Sequence, residues 1–465
     1  MDKIKAFFKF EERKTTIWAE LIGGLVTFLA MVYILPVNAD ILSQSGMNFA
    51  AVFAATALSA AIATLLMGLF ANYPVALAPG MGVNAFFTYT VVTGLGMPWE
   101  QALAAVLISG ILFLIISVTG LRRKVINAIP KDLKLAVGAG IGFFIAFIGL
   151  KNAGIVVSNP STFVTLGNLA HPTVLLGLFG IVLVFVLYSL DNKISRFAVI
   201  ISIVATALLG WLLGAFFPSA LKDLMPRYGG ENLGSISDIS KTFGKCFGAL
   251  PALLSNPLAY AVIFTFLFVD FFDTAGTLVA VGQDAKLLDE NGELIDGDKA
   301  MFSDAVGTVA GAVLGTSTVT SYVESTTGIQ SGARTGLSSV LVGFLFIVSL
   351  LAYPLFSLAG SINVGTSENP VFLSPVTSMA LLFVGAMMIK ALKDINWKDP
   401  IIVASSFITI IMMLTAYSIA EGIAFGFIFY VLMMLFTKRR KEVNITMYIL
   451  AALFIINFII KFLVL

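Results

Sequence analysis

Charge is what this chain of 465 residues has least of. Charged residues make up 12% and hydrophobic ones 58%, with a mean hydropathy of +0.99. A soluble domain devotes about 25% of its residues to charge, so a soluble cytosolic enzyme of this size is excluded and the bulk of the chain must face lipid. One cysteine, Cys246, excludes an intrachain disulfide and a cysteine-built metal site. One histidine, His171, excludes a His-based zinc site or triad. The net charge is only +2, so nothing argues for nucleic-acid binding. No cleavable signal peptide is predicted, because the first apolar run, from Ile17, is far longer than a signal core.

Long apolar runs are what is abundant. A bilayer core takes about 20 apolar residues per helix. The pattern predicts an all-α polytopic membrane protein of fourteen spans, near 17–37, 49–70, 76–93, 100–119, 133–150, 173–190, 197–217, 258–282, 301–315, 316–333, 336–357, 371–389, 400–417 and 421–437. A last apolar stretch, 445–465, either spans the membrane or lies at its interface. Lys and Arg cluster at alternate loops: in 3–14, 122–134, 193–196, 286–299, 334, 390–398 and 438–441, against only Lys151, Lys222, Arg227, Lys241 and Lys245 on the other side. Cytoplasmic loops carry the positive charge, which puts the N-terminus inside.

The chain also reads as two halves of seven spans, divided by a polar connector at 218–256. The third span of each half is broken. One opens Tyr73-Pro74 and then Ala78-Pro79-Gly80-Met81-Gly82; the other opens Gly315-Thr316-Ser317-Thr318-Val319-Thr320-Ser321. Both begin with residues suited to extended backbone and turn helix-compatible later. His171-Pro172 and Asp399-Pro400 open the matching sixth and thirteenth spans. Gly and Pro are common in membrane helices, but matched interruptions in an odd-numbered repeat point to an inverted repeat with a transport site near the midplane.

Ionisable groups within a membrane are expensive and usually functional. Asp270, Asp273, Thr274 and Thr277 recur at i, i+3, i+4 and i+7, one helical face, with Phe, Leu and Val opposite. Glu324 follows the broken tenth span, near the N-terminus of a half-helix beginning around Tyr322, and Asn84 occupies the matching place in the third. A carboxylate in an apolar pocket can take up a proton; ionised it only accepts hydrogen bonds, and protonated it also donates. A planar heterocycle with ring N–H and C=O groups matches that set, with Phe86, Phe87, Phe271 and Phe272 offering stacking faces. No cation falls in the site, since Arg334 sits at a span end, so sulfate and phosphate are poor substrates. Asp273 is open between bonding a half-helix backbone and touching ligand. Asp304 and Glu20, near span ends, read as solvated or capping acids, and Glu421 as a first-turn acid. Gly307, Gly311 and Gly315 form a double GxxxG for close helix packing.

At these residues the sequence resembles a known family. Phe70–Phe87, Ile126–Pro130, Leu267–Thr277, Thr320–Gly328 and Ser331–Gly336 resemble the AzgA-like branch of nucleobase permeases, the nucleobase–cation symporter 2 (xanthine/uracil permease) group, over nearly the whole chain. The resemblance implies a seven-plus-seven inverted repeat. Its core domain would be 17–119 and 257–357 and its gate domain 133–217 and 371–437, flanked by a cytoplasmic N-terminus at 1–16 and a basic loop and terminal helix at 438–465. It implies proton-coupled uptake of guanine, hypoxanthine and adenine, without a cofactor or metal, in the cell membrane and in a homodimer; sodium stays open as the coupling ion. By position it makes Asp270, Glu324 and Asn84 substrate residues and Asp273 a further acid one turn on. Ala85, Phe86, Val323 and Thr274 are neighbours by position. Glu324 is followed by Ser325, and Gly328 comes one place late for the xanthine, urate and uracil pattern, which favours the purine branch.

Two expectations about mechanism follow. The core carries the site past the gate in an elevator-like movement, and Gly138, Gly140, Gly142 and Gly149 on the fifth span give the gate a smooth sliding face. The rival readings are a uracil or xanthine permease, a membrane enzyme acting on lipid-linked substrates, which lacks a nucleophile or metal constellation here, and a channel or receptor.

Overall fold

A computed structural model describes residues 2–119, 129–190, 193–221, 223–227, 234–289, 294–366 and 371–464. The Ile126–Ala128 part of one family-like block, Arg122, Arg123, Lys124 and Lys222 lie outside them, as does the side chain of Phe272.

Helices dominate. Two short N-terminal helices, Asp2–Phe7 and Phe10–Arg13, precede α1 (Ile17–Met31) and α2 (Ile34–Ser43). Then come α3 (Phe49–Leu66), the strand β1 (Leu77–Pro79), the short α4 (Met81–Ala85) and α5 (Trp99–Thr119). The middle holds α6 (Lys131–Asn152), α7 (Pro172–Ser189), α8 (Ala198–Phe216), α9 (Ala259–Asp284) and α10 (Gly297–Leu314). The strand β2 (Val319–Ser321) leads into α11 (Ser325–Gln330), followed by α12 (Gly336–Ser349), α13 (Ser378–Met388), α14 (Pro400–Thr415), α15 (Ile419–Phe436) and α16 (Ile445–Val464). Among the described residues eight helices are long and apolar enough to cross a membrane.

Local chemistry sets many of these boundaries. Thr16 caps α1 by accepting from the N–H of Ala19 at 3.2 Å, and Asn48 caps α3 through Ala51 at 3.0 Å. Proline opens α7 and α14, after His171 and Asp399 respectively. The turn between α1 and α2 falls just before Pro36, which lacks an N–H and crowds the carbonyl of Val32. The expected span at 371–389 begins later than its apolar composition suggests: Phe372 and Leu373 pair as a strand with Ile362 and Asn363, and the helix starts at Ser378.

Two packing groups emerge. In one, α3 lies against α12 and α10, α5 against α10 and α9, and α1 against α12. In the other, α6 lies against α13 and α14, α14 against α15, and α7 against α8 and α13, with α16 laid on α15. The α6 glycines correct an expectation. They form no free sliding face, because they are spent on packing inside the second group. A Cβ on Gly142 would sit 2.7 Å from Met388 Cβ, and one on Gly149 would sit 2.9 Å from the backbone of Ser378 and Leu382. Gly140 faces Met413, and Gly138 alone has open space beside it.

Candidate functional site

The first packing group surrounds a two-stranded ribbon. β1 and β2 pair antiparallel, with Leu77 opposite Ser321, Ala78 opposite Thr320 and Pro79 opposite Val319. The Gly80 N–H donates to the Thr318 carbonyl at 3.1 Å, and the Tyr322 N–H to the Ala76 carbonyl at 2.9 Å. Irregular backbone at membrane depth must find its hydrogen bonds within the protein, and side chains supply the rest. Thr64 bonds both the N–H and the carbonyl of Leu77, Ser325 accepts from the Ala76 N–H, and the Tyr322 hydroxyl donates to the Pro79 carbonyl at 2.6 Å. Each strand runs into a short helix, α4 or α11. After α4 the chain continues as a π-helix over Phe86–Gly94, a form often found at functional sites.

The sequence-predicted residues gather here. Asn84 is fully buried in α4, and its Oδ1 is bonded by the Ser317 hydroxyl. Asp270 is 1% exposed, and its Oδ2 accepts from Thr308 at 2.9 Å. Thr308 also bonds the carbonyl and the N–H of Val319, so it ties the carboxylate to β2. Asp273 is half-buried, and its Oδ2 faces the bare α-carbon of Gly80 beside Thr320. Glu324 is half-buried and immediately precedes α11, one turn-residue earlier than the helix start. Thr274 is buried, but its hydroxyl is committed to Asp304 at 2.8 Å. Ala85 and Phe86 are buried on α4 and the start of the π-helix, whereas Val323 is 50% exposed.

Asn84 Nδ2 is buried and makes no hydrogen bond, while the Asp270 carboxylate and the Thr318 hydroxyl interact with each other without a well-formed hydrogen bond at Asp270 Oδ1 or Thr318 Oγ1. They are a donor, an acceptor and a group that can be either. Unsatisfied buried polar atoms are costly and call for an explanation. No Lys or Arg pairs with Asp270, Asp273, Asp304 or Glu324 among the described residues. The Arg334 guanidinium is used on the Ile329 and Ala333 carbonyls.

Several expectations need correcting. Asp304 is neither solvated nor a cap. α10 begins as early as Gly297, so Asp304 lies well inside it, fully buried, accepting from Thr274 and from Ser321 at 3.1 Å. Glu20 is a capping acid as expected, but a fully buried one: it accepts from the N–H groups of Arg334 and Thr335 and so caps the start of α12 from another helix. Phe87 and Phe271 are not free stacking faces: Phe87 is fully buried beside Phe266, and Phe271 lies 5.9 Å edge-on to Phe113. Phe86 lies edge-on to Phe266 at 4.9 Å. Gly307 and Gly311 do permit close packing, onto Ala63 and Val319. Glu421 sits in the first turn of α15, capped by Ser418.

Sequence reasoning missed Asn38, Tyr33 and Thr308. Asn38 Nδ2 joins Thr56 at 2.6 Å and Thr316 at 2.8 Å, and Tyr33 bonds Glu324. A signal for Thr308 was present: Asp304 and Thr308 stand four apart in α10, as Asp270 and Thr274 do in α9.

Residues 19–424 match the Permease family, the xanthine/uracil permease group. The chain belongs to that family. Permeases of this family are transporters, so the chain is a multi-pass membrane transporter and not an enzyme. It is 45% identical to the guanine/hypoxanthine permease PbuG of Bacillus subtilis over 98% of this chain and 99% of that one. It is 44% identical to a putative permease of Methanocaldococcus jannaschii, over 99% of each. It is 39% identical to the adenine permease AdeP of Escherichia coli over 98% of this chain and 96% of that one. Among solved structures, the transmembrane domain of the cyanobacterial bicarbonate transporter BicA aligns with a TM-score of 0.61 and 15% identity, over 87% of this permease and 97% of BicA's domain. SLC26A9 aligns with a TM-score of 0.59 and 12% identity, over 92% of this permease and 66% of that chain. At such identities the likeness is one of fold.

Proposed function

We propose that this permease imports purine nucleobases, guanine and hypoxanthine foremost and adenine as well, together with a proton. The observation that carries this is the buried polar set at the ribbon, the unpaired Asn84 Nδ2 beside the Asp270 carboxylate and the Thr318 hydroxyl that meets it, with the Glu324 carboxylate following β2. A purine edge offers adjacent N–H and C=O or ring-nitrogen groups, which a mixed donor and acceptor set of this kind can satisfy. The full-length similarity to permeases named for guanine, hypoxanthine and adenine supports the same substrate class.

In this reading Glu324 accepts hydrogen bonds from the base, Asn84 donates to it, and Asp270 takes the base, the proton or both. Asp273 supports the opening of α4. The chain forms fourteen spans in two inverted halves. The packing group around the ribbon is the core domain, and the group built on α6, α13, α14 and α15 is the gate. The core moves against the gate in an elevator-like step, within the cell membrane, with the N-terminus cytoplasmic and a second copy as partner. No cofactor takes part.

Uptake of labelled hypoxanthine by a transport-deficient cell tests this. Accumulation above the outside concentration, abolished by a protonophore and competed by guanine and adenine, is the expected result. Accumulation that needs sodium moves the coupling ion. Competition by uracil or xanthine alone reassigns the substrate.

A further inference from the structure

Glu324 meets a side chain from an element almost three hundred residues away in sequence. Tyr33 sits in the turn between α1 and α2, and its hydroxyl donates to Glu324 Oε1 at 2.5 Å. The Tyr33 ring is 1% exposed and among the largest fully buried side chains. Packing therefore fixes the ring, and the ring fixes the hydroxyl. Pro36 contributes by breaking the helix so that residue 33 falls in the turn.

Glu324 lacks comparable restraint of its own. It makes no side-chain capping bond at α11, it is half-buried, and its neighbour Val323 is exposed. A glutamate there has several side-chain torsions to lose. A charge-assisted bond from a rigid phenol is a strong way to hold one of its oxygens, and sites work when supporting residues lock the contact group in place.

We infer that Tyr33 is a positioning residue for substrate binding: it holds Glu324 Oε1, so that the second carboxylate oxygen is presented to the base in one fixed direction. This rests on the reading of Glu324 as a base ligand. Tyr33 itself touches the base only through Glu324. Removing the hydroxyl leaves the carboxylate in place but free to rotate, so affinity falls while the transport step is spared.

The test is equilibrium binding of labelled hypoxanthine to the purified full chain in four forms: wild type, Tyr33→Phe, Glu324→Gln and the double variant. Uptake kinetics and thermal unfolding are measured on the same proteins. Tyr33→Phe keeps every apolar atom of the ring, so its melting temperature checks the fold. The expected result is an affinity about tenfold weaker, the size of one lost hydrogen bond to a charged group, with KM raised in step and the maximal rate within twofold. In the Glu324→Gln background, where the remaining bond to Tyr33 is no longer charge-assisted, Tyr33→Phe adds a much smaller loss. Wild-type affinity in Tyr33→Phe beside lost affinity in Glu324→Gln overturns the role of Tyr33 and leaves Glu324 as ligand. A full additional tenfold loss in the double variant overturns it too, because Tyr33 then acts independently. Normal affinity in Glu324→Gln overturns the underlying site reading instead.

Discussion

Thr274 donates a hydrogen bond to Asp304 at 2.8 Å across the interface of α9 and α10. Four residues along each helix the pair recurs with the roles exchanged, Thr308 donating to Asp270 at 2.9 Å. This reciprocal ladder sets the depth of Asp270 against β2, because Thr308 and Ser321 link the same acids to the strand. Thr274→Val keeps the shape of the side chain but leaves Asp304 with one donor fewer. We expect a loss of about 1–2 kcal/mol in stability, read as a lower unfolding temperature, and recovery of most of it in Thr274→Ser. Asp304→Ala strips the acceptor from two buried hydroxyls at once, and hypoxanthine uptake per folded molecule is expected to fall at least about tenfold.

Helix α6 is predicted to be intolerant at its packed glycines and tolerant at its open one. Gly142→Val drives a side chain into Met388 and the Gly385 carbonyl, whose positions lie 2.7 and 2.8 Å from the new Cβ. Overpacking of this kind costs about 1–3 kcal/mol, and the yield of monodisperse protein on size-exclusion should drop sharply. Gly138→Ala meets nothing within 4 Å and should elute and melt as wild type. Equal damage from both substitutions contradicts the packing described.

Glu20 serves α12 rather than its own helix. It accepts from the Arg334 N–H at 2.9 Å and the Thr335 N–H at 3.2 Å, and from the Thr15 hydroxyl at 2.7 Å. Glu20→Ala leaves those donors unpaired beside α1, at a cost of about 1–3 kcal/mol. The change should appear as a lower melting temperature with little change in KM, since Glu20 is tied to the Arg334–Thr335 turn and makes no hydrogen bond to Asn84, Asp270 or Glu324. A raised KM with an unchanged melting temperature contradicts the capping role.

Just after α15 the Arg439 guanidinium bonds Asp399 at 2.7 Å and chelates Glu442, joining the start of α14 to the loop before α16. The Arg439 hydrogen bond holds the Asp399 carboxyl below its usual range, and Glu442 is lowered for the same reason. A carboxylate depressed in the folded state contributes stability that is present above its unfolded pKa and is lost as pH falls through its folded one. Melting temperatures of wild type and Arg439→Ala should therefore differ modestly near pH 7, and the difference should close on acidification below the carboxylate range. A gap that widens in acid runs against the assigned sign.

The apolar runs and the two interrupted segments were legible in the sequence because each is a local pattern: hydropathy for the runs, and Pro, Gly and β-branched residues for β1 and β2. Asp270 stood out because a charge mid-run is anomalous by itself. Asp304 was not legible, since its burial depends on where α10 begins, and the polar turn before Gly297 carries no strong start signal. Tyr33 was illegible for a different reason. Nothing in Met31-Val-Tyr33-Ile says that its hydroxyl meets Glu324, because the contact depends on how α1 and α11 pack. The α6 glycines show the converse error: a glycine stripe marks close approach, but only the three-dimensional packing says to which neighbour.

The central claim is that a purine base binds at the ribbon beside the unpaired Asn84 Nδ2 and the buried Asp270 carboxylate. Equilibrium binding of labelled hypoxanthine to the purified protein, comparing wild type with Asp270→Asn and Asn84→Ala, tests it most directly, with thermal unfolding confirming that each variant is folded. Losing a hydrogen bond to a charged group, or leaving a ligand group unpaired, is worth about 1.5–3 kcal/mol, or tenfold to more than a hundredfold in affinity. The account predicts a loss of that size in both variants. Wild-type affinity in both, in folded protein, would contradict it.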